Sequence, residues 1–511
     1  MRKIFILSLV LLLLCMLCAC QEVQIDGSSG STAPASSTTP SGSSIPSCSS
    51  TVADCTKGHL FPDNAEICQR CGANYFSATL EFTLNDSRDS YIVSGLGTCE
   101  RAVIKVPADY KGLPVTGIGD GAFSFCENLI RLELHDGISW LGERMVEYCT
   151  SLESLYIPAA ITEIPALLAE NCTALKTVAI GGQIKSIGLN AFANCTSMEA
   201  FDFGDSLETI ADCAFYNCSS LQLAALPETV RYIGGGAFSM CTALRSINIP
   251  QALQEIGGNP FNGCDALQFN VYKGTTYLGN DTNPYLVFVG RENASIKNIV
   301  IHEDTVFVPI NDLSESDIES LYIGRSVSEF MVGAFRRNNT LSRIEVSSEN
   351  KTYHASGNCL IDTAKKLMIL GCKNSVIPND GSVIKIASQV FKDMQGVTSV
   401  VIPDAVKELG FNLFWDCLDL ETLVIGSGVQ KIEENIFSRR EKLSKIFYHG
   451  TKEQWETIDI FGRATTGGIQ MGGNSVLFSK TIYFYSEEKP TEEGNYWHYV
   501  DGKPTPWKTE E

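Results

Sequence analysis

The sequence predicts a β-rich repeat solenoid, a fold in which one supersecondary unit is stacked on copies of itself. Two observations support this fold class. Seven cysteines, which we call the cysteine ladder, lie 23 residues apart: Cys126, Cys149, Cys172, Cys195, Cys218, Cys241 and Cys264. The same period returns later, because positions 394, 417 and 440 are again 23 residues apart. A period kept over so many units is typical of a solenoid.

The residue pattern of each repeat unit predicts one coil, which consists of a strand, a corner, a helical turn and a second corner. Aligned on the ladder, the units share the pattern Ile-Gly-x-x-Ala-Phe-x-x-Cys-x-x-Leu-x-x-Leu-x-Ile-Pro. The spacing Leu-x-x-Leu-x-Ile is the apolar alternation of a short strand with one buried face. Phe three residues before Cys indicates one turn of α-helix or 3₁₀-helix. Counting such strands from Leu129 to Tyr448 gives twelve coils.

Breaks in the period predict the internal boundaries of the chain. Extra residues before Met394 predict a hairpin in which Cys359 to Asp362 pairs with Leu367 to Leu370. Before the array, the predicted segments are a signal peptide at 1–19, a disordered tether at 20–50, a Cys/His segment at 51–76 and an N-terminal cap at 77–120. The repeat array is predicted at 121–450 and contains irregular coils at 265–334 and an inserted hairpin at 351–372. A C-terminal cap and tail follow at 451–511.

The first twenty residues predict export and a lipid anchor. Arg2 and Lys3 precede an apolar run that is too short to remain as a membrane-spanning helix. Leu17-Cys18-Ala19-Cys20 is similar to a bacterial lipobox, which implies that Cys20 becomes the acylated N-terminus. The alternative is an ordinary secretory signal with an incidental cysteine. Twenty of the thirty residues at 21–50 are Ser, Thr, Pro or Gly, a composition that predicts a flexible tether.

Nineteen cysteines in an exported chain would ordinarily predict a disulfide framework. The ladder does not fit one, because stacked inward-facing side chains have Cβ atoms about 4.8 Å apart, whereas a disulfide requires about 3.8 Å. We therefore expect the ladder to consist of buried, reduced thiols that act as small hydrophobic side chains. The alternative of a metal or redox column has no exposed thiolate to support it.

A second group of cysteines predicts a metal site. Cys55, His59, Cys68 and Cys71 have the spacing of two ligand pairs joined by a short loop, which can close a tetrahedral zinc site. With all four positions filled, such a zinc would be structural and would stabilise a segment that is too small to fold on its own core. The alternative is a disulfide between two of the three cysteines, with His59 idle.

Charge and motifs exclude several functional classes. The net charge of −20 makes nucleic acid an unsuitable partner and argues against a polybasic contact with anionic lipid. The sequence has no His-Glu-x-x-His, Gly-x-Ser-x-Gly or Walker A motif, so nothing in it predicts an enzyme.

Several segments carry a family resemblance. Beside the repeats, they are Tyr91 to Thr98, Val103 to Pro107, Leu113 to Gly119, Tyr277 to Asn280 and Tyr448 to Thr451. From Leu80 onward the chain resembles the BspA-like leucine-rich repeats of bacterial surface proteins. The resemblance implies a leucine-rich repeat array, display at the cell surface, and adhesion or partner binding, without defining a ligand.

The tail after Phe447 is rich in aromatic residues, which include Trp455, Tyr485, Trp497 and Trp507. One interpretation is a cap whose aromatic side chains cover the exposed end of the stack, as solenoids require. The alternative is an aromatic platform that binds carbohydrate.

The outward strand positions provide a candidate binding surface. They are Glu133, Tyr156, Ala179, Asp202, Ala225, Asn248, Val271, Tyr322, Glu345, Val401, Val424 and Phe447. Of these we select Tyr156 and Tyr322, because aromatic and Arg side chains dominate binding surfaces, and we include Asp202 as a third candidate on the same column. The expected partner is an extracellular protein or glycan, bound by a protein that is lipid-anchored outside the cytoplasm. The alternatives are a self-associating surface-coat protein and, less favoured, a zinc-dependent hydrolase.

Overall fold

The computed structural model describes residues 65, 69, 75–310, 313, 317–331, 333, 335, 338–438, 442–462 and 474–507. These residues form a β-solenoid of about 15 turns with about 23 residues per turn, which confirms the predicted fold class. Strands at both ends of the array account for turns beyond the twelve counted in the sequence. In the part of the chain that the structure describes, no helix is long and apolar enough to cross a membrane.

The elements are as follows. The short helices are α1 Tyr75–Thr79, α2 Lys452–Thr457 and α3 Ser475–Ser479. The strands up to the first interruption are β1 Glu81–Leu84, β2 Tyr91–Gly95, β3 Val103–Lys105, β4 Asp109–Tyr110, β5 Leu113–Ile118, β6 Arg131–Glu133, β7 Trp140–Leu141, β8 Ser154–Ile157, β9 Glu163–Ile164, β10 Thr177–Ile180, β11 Ser186–Ile187, β12 Thr209–Ile210, β13 Leu223–Ala224, β14 Tyr232–Ile233, β15 Ser246–Ile247 and β16 Glu255–Ile256. The strands up to the second interruption are β17 Asn270–Tyr272, β18 Thr275–Leu278, β19 Val287–Arg291, β20 Asn298–Val300, β21 Phe307–Val308, β22 Ser320–Ile323, β23 Glu329–Phe330 and β24 Arg343–Val346. The remaining strands are β25 Tyr353–Ser356, β26 Cys359–Asp362, β27 Leu367–Leu370, β28 Lys385–Ile386, β29 Ser399–Ile402, β30 Glu408–Leu409, β31 Thr422–Gly426, β32 Lys431–Ile432, β33 Lys445–His449, β34 Asp459–Ile460, β35 Ile482–Tyr485, β36 Tyr496–Val500 and β37 Lys503–Pro506.

Most regular coils contain two strands, and these form two stacks of parallel strands, each divided into several hydrogen-bonded sheets. We call the stack of predicted Leu-x-Ile strands the long-strand sheet; in it β8 pairs in parallel with β10. A second strand of two residues ends at the Ile that precedes the corner and forms the short-strand sheet, in which β11 pairs with β12. In both pairs the partner lies 23 residues further along the chain. The sequence did not predict the second strand, because two residues are too few for an alternation to be visible.

The corner that carries the cysteine ladder is a series of hydrogen-bonded turns. The N–H groups of Ala193 and Cys195 bond to the carbonyl groups three residues earlier, as in a 3₁₀-helix. Asn190 and Asn194, however, have left-handed backbone conformations with φ of 52° and 62°. These two residues donate their N–H groups to the next coil. The helical turn expected here is therefore correct in its local hydrogen bonds but is interrupted by residues that bond between coils.

Phenylalanine and cysteine fill the interior of the first part of the array. The rings of Phe192, Phe215 and Phe238 stack at centroid distances of 5.6 and 5.4 Å. Each ladder thiol from Cys149 onward donates to a carbonyl group of the preceding coil, as the Cys218 Sγ does to the Phe192 oxygen at 3.2 Å. Burial raises the pKa of Cys218 to about 12. All seven ladder cysteines are free thiols, as expected, and six are buried, whereas Cys126 at the start of the ladder is half-buried.

Two antiparallel insertions divide the array. In the first, β18 pairs with β19, and in the second β26 pairs with β27, which is the hairpin expected from the sequence. All four residues of both β18 and β26 are buried, because each strand contacts core on both faces. Tyr277 packs into one hydrophobic cluster and its neighbour Leu278 into another. The solenoid therefore contains three successive cores, with Phe215, Tyr277 and Phe414 in the first, second and third.

The tail continues the long-strand sheet beyond the repeats. Strand β35 pairs in parallel with β33, β36 pairs in parallel with β35, and β37 closes an antiparallel hairpin with β36. Pro504 and Pro506 lie in β37, at the edge of the sheet. Proline has no N–H to donate, so these residues oppose pairing with a further strand.

Candidate functional site

The candidate binding surface is the outward face of the long-strand sheet. Ten of the twelve outward positions named from the sequence are exposed or half-buried, whereas Val424 and Phe447 are buried. Val271 is exposed but lies on β17, which pairs antiparallel with β18 in the first insertion. The prediction of which strand residues face outward is therefore correct over most of the array.

The Tyr156 side chain lies between residues of the preceding and following coils. Its hydroxyl donates to the Asp136 carboxylate at 2.6 Å, in the turn of the preceding coil. That hydrogen bond is the main cause of the raised pKa of Tyr156. In the following coil, a Cβ on Gly181 would lie 2.4 Å from the Tyr156 hydroxyl oxygen. Glycine at position 181 therefore leaves the space in which the Tyr156 side chain lies.

Tyr322 repeats this arrangement in the second core. Its hydroxyl donates to Glu303 at 2.7 Å, and the second oxygen of that carboxylate accepts the backbone N–H of Arg325 at 2.7 Å. The Arg325 guanidinium in turn donates to Asp304 at 2.8 Å. Burial, followed by the bond to Glu303, raises the pKa of Tyr322. Both selected tyrosines thus present a fixed ring beside a carboxylate.

Asp202 differs from the two tyrosines. It is exposed, and one of its carboxylate oxygens accepts the N–H of Gly204 at 3.0 Å. The coil that contains Asp202 has no strand at this position. The structure therefore places Tyr156 and Tyr322 on different cores, with Asp202 in a local turn, and does not bring the three residues into one compact site.

The outward positions near the C-terminus are covered, contrary to the expectation of an open row. Trp497 is fully buried and forms a hydrophobic cluster with Val424 and Phe447 on the outer face. Its indole Nε1 donates to the Tyr448 carbonyl oxygen at 2.9 Å. The tail aromatics therefore cover part of the outward face as well as extending the sheet.

Beside Trp497 lies a group that the sequence did not predict. We call Asp404, His449, Tyr485, Trp497 and Tyr499 the terminal aromatic cluster. His449 contacts the Asp404 carboxylate at 2.9 Å, and the His449 and Tyr485 rings are 4.4 Å apart between centroids. Asp404 and His449 are separated by 45 residues in the chain, so no local motif connects them. The density of aromatic residues in the tail was the only available signal.

The predicted lipidation residue Cys20 and the predicted zinc ligands Cys55, His59, Cys68 and Cys71 lie outside the described residues. Among the residues that are described, no group of three His, Cys, Asp or Glu side chains is arranged to hold a metal ion. A cleft of about 430 Å³ lies next to the first insertion, where Phe261, Asp265 and Arg291 contribute to its walls.

Comparison with known families identifies the repeats. The model of the BspA type leucine rich repeat region matches residues 111–222, 170–285 and 368–460, in six copies. These ranges cover just over half of the chain, and the described coils follow their 23-residue period. The chain belongs to the BspA-type leucine-rich repeat family. The resemblance noted in the sequence is thereby confirmed.

The chain is similar to two solved structures of bacterial leucine-rich repeat proteins. A leucine-rich repeat protein from Bacteroides ovatus is 23% identical, with a TM-score of 0.41, over 75% of this chain and 97% of the other. A leucine rich cell surface protein from Faecalibacterium prausnitzii is 20% identical, with a TM-score of 0.34, over 76% of this chain and 97% of the other. No curated protein matches the sequence.

Proposed function

We propose that this BspA-type protein is displayed at the bacterial cell surface and mediates adhesion, by binding a protein or glycan of host matrix or of other cells. The observation that carries the proposal is the outward face of the long-strand sheet, which stays uncovered through the first and second cores. Tyr156 and Tyr322 present preorganised rings there, each hydrogen-bonded to a carboxylate. Fixed aromatic side chains lose little conformational entropy on binding. In this proposal the protein acts by binding, and no residue is assigned a catalytic role.

In the alternative, a self-associating surface coat, copies of the array would join end to end through their terminal strands. Pro504 and Pro506 in the edge strand β37 count against growth through the long-strand sheet at that end. A zinc-dependent hydrolase would require an open metal position, whereas the proposed Cys₃His ligand set is closed.

We predict that the double variant Tyr156→Ala, Tyr322→Ala weakens adhesion of beads coated with protein lacking residues 1–50. Loss of one hot-spot tyrosine costs about 1–2 kcal/mol of binding free energy, so each substitution should weaken binding by about five- to thirtyfold. The control is Tyr216→Ala, which removes an exposed tyrosine from a corner. Equal adhesion of the double variant would place the binding surface elsewhere. No adhesion to any matrix protein or cell type would favour the surface-coat alternative.

We also propose that Cys20 carries the lipid anchor. Replacing Cys20 by Ala should release the protein into the medium or leave it unprocessed, because the acylated residue is lost. Detergent phase separation measures this change directly. Unaltered partitioning of the Cys20→Ala variant into the detergent phase would show that the anchor lies elsewhere.

We further propose one structural zinc on Cys55, His59, Cys68 and Cys71. Elemental analysis of the mature protein should give about one zinc per chain, and Cys68→Ser should abolish it, because a tetrahedral site loses a ligand. Cys213→Ser, at a half-buried cysteine in the array, is the control. Absence of zinc together with a disulfide at Cys68 or Cys71 in mass mapping would contradict this proposal.

A further inference from the structure

The terminal aromatic cluster contains one buried aromatic ring and one exposed aromatic ring. Trp497 is completely buried, whereas the adjacent Tyr499 is 42% exposed. Their ring centroids are 4.9 Å apart, and the Tyr485 ring lies 6.4 Å from that of Tyr499. The hydrogen bond from the Trp497 indole to the Tyr448 carbonyl oxygen fixes the position of the buried ring. The half-buried Tyr485 ring and the exposed Tyr499 ring pack against this fixed indole, at centroid distances of 5.2 and 4.9 Å.

A carboxylate lies at the edge of this surface. Asp404 accepts the backbone N–H of Ser427 at 2.7 Å and contacts His449 at 2.9 Å. Burial alone would raise the pKa of Asp404, but the bonds from His449 and Ser427 outweigh it, so the pKa is lowered. The carboxylate is therefore ionised at neutral pH, and 42% of its side chain is exposed.

The negative charge of Asp404 also acts on the exposed Tyr499 side chain. Burial is the largest cause of the raised pKa of Tyr499, and the negative charge of Asp404 is the next. Geometry places the two residues beside one another, because His449 contacts the Asp404 carboxylate at 2.9 Å and the His449 ring centroid lies 6.3 Å from that of Tyr499. A cation over the face of an aromatic ring is attracted by the ring quadrupole, and a neighbouring carboxylate adds a charge-assisted hydrogen bond.

We propose that the terminal aromatic cluster binds an arginine or lysine side chain carried by a basic segment of an extracellular partner protein. Charge complementarity supports this occupant, since the site carries a carboxylate and the whole chain has a net charge of −20. The cationic group contacts the Asp404 carboxylate and the ring of Tyr499. The inference goes beyond the proposed function, because neither Tyr156 nor Tyr322 belongs to this cluster.

Ring orientation favours a cation over a neutral sugar. A carbohydrate platform that holds several sugar rings presents its aromatic rings in one plane, but the Tyr485 and Tyr499 rings are inclined at 53°. The His449 and Tyr485 rings are inclined at 63°, and Trp497 and Tyr499 at 74°. These rings do not share a plane. An ammonium or guanidinium group needs only one ring face and a nearby acceptor.

The test uses the mature, full-length protein and a fluorescent tetra-arginine peptide with blocked termini, measured by fluorescence anisotropy. Asp404→Asn keeps an oxygen that can accept from Ser427 but removes the charge, and Tyr499→Ala removes the ring. Each substitution should raise the Kd about three- to tenfold, the range expected for one partly exposed cation–π or ionic contact. Higher salt should weaken binding to the unaltered protein.

Two matched controls separate a site from general attraction to an acidic protein. Asp380→Asn removes an exposed carboxylate from a turn of the third core, and Tyr216→Ala removes an exposed tyrosine from the first core. Both should change the Kd less than twofold, and near-ultraviolet circular dichroism should establish that each variant keeps its aromatic packing.

Three results would overturn the proposal. They are equal effects of Asp404→Asn and Asp380→Asn, no binding of the peptide, and binding of a neutral chitooligosaccharide that Tyr499→Ala abolishes while the peptide is unaffected. The variant Tyr156→Ala, Tyr322→Ala should bind the peptide normally. Loss of adhesion in that double variant with intact peptide binding would show that the two surfaces are independent, so either proposal can fail alone.

Discussion

Replacing Phe215 by Ala should lower the free energy of unfolding by about 3–5 kcal/mol, the range for a large aromatic residue removed from a core. Phe215 is fully buried. It stacks on Phe192 and Phe238 at 5.6 and 5.4 Å, and it contacts the edges of Phe201 and Phe203. The neighbouring coils are tied by backbone hydrogen bonds at every turn of this corner and cannot collapse into the vacated space.

The next residue in the chain provides the control. Tyr216 is 38% exposed, and its substitution by Ala should change the free energy of unfolding by less than about 1 kcal/mol. Urea denaturation followed by circular dichroism measures both variants. Similar destabilisation by the two substitutions would mean that the buried and exposed positions of the coil are assigned wrongly.

Division into three cores adds a second readout for Phe215→Ala. Phe215 lies in the first core, whereas Trp455 belongs to the third and Trp497 lies on its outer face. In repeat proteins each unit contacts only its neighbours, so the loss of stability should be greatest close to the substitution. Tryptophan fluorescence, which includes these two residues, should therefore shift at a higher urea concentration than the circular dichroism signal.

The interior of the array could be predicted from the sequence because each coil repeats the same local rules. One aligned pattern placed Phe, Cys and Leu on the inside of most regular units, and Val146 and Ala169 occupy the Phe position in two others. Asn338 follows Phe335 by three residues, as Cys218 follows Phe215, and so corresponds to a ladder cysteine in an irregular coil. Its side-chain amide donates to the Leu313 carbonyl oxygen of the preceding coil, as the ladder thiols do. A buried amide donor can therefore replace the thiol at this position, and Met394 shows that the position also accepts a buried side chain without a donor.

The corner conformation was partly visible in the sequence. Asparagine tolerates the left-handed region better than most residues do, and Asn190, Asn194 and Asn217 all have positive φ. The same conformation occurs at Leu167, however, where no propensity favours it. Hydrogen bonds to the next coil stabilise the backbone there, and such bonds become evident only once the coils are stacked.

The outer face near the C-terminus could not be predicted, because its contacts join distant parts of the chain. Trp497 donates to a carbonyl group 49 residues earlier, and Asp404 meets His449 across 45 residues. The alternation of inward and outward residues along the strands correctly predicted that Val424 and Phe447 face outward. It could not show that Trp497, from a later strand, would cover them.

Trp497→Ala should destabilise the terminal strands by about 3–5 kcal/mol, comparable to other aromatic deletions from a core. The indole covers Val424 and Phe447, so its removal exposes apolar surface as well as leaving a cavity. It also leaves the Tyr448 carbonyl oxygen without the indole donor. Trp497→Phe keeps most of the ring and removes that donor, so it should cost about 1–3 kcal/mol.

The expected loss is local, which limited proteolysis can measure. In Trp497→Ala, cleavage within residues 482–507 should accelerate strongly, because β35 to β37 lose the buried side chain that anchors them to the outer face. Tyr499→Ala, at an exposed position on the same strand, should accelerate cleavage little. Equal protection of Trp497→Ala and the unaltered protein would show that β35 to β37 are held by their backbone pairing alone. In that case the outer hydrophobic cluster would contribute nothing measurable to the stability of this end of the solenoid.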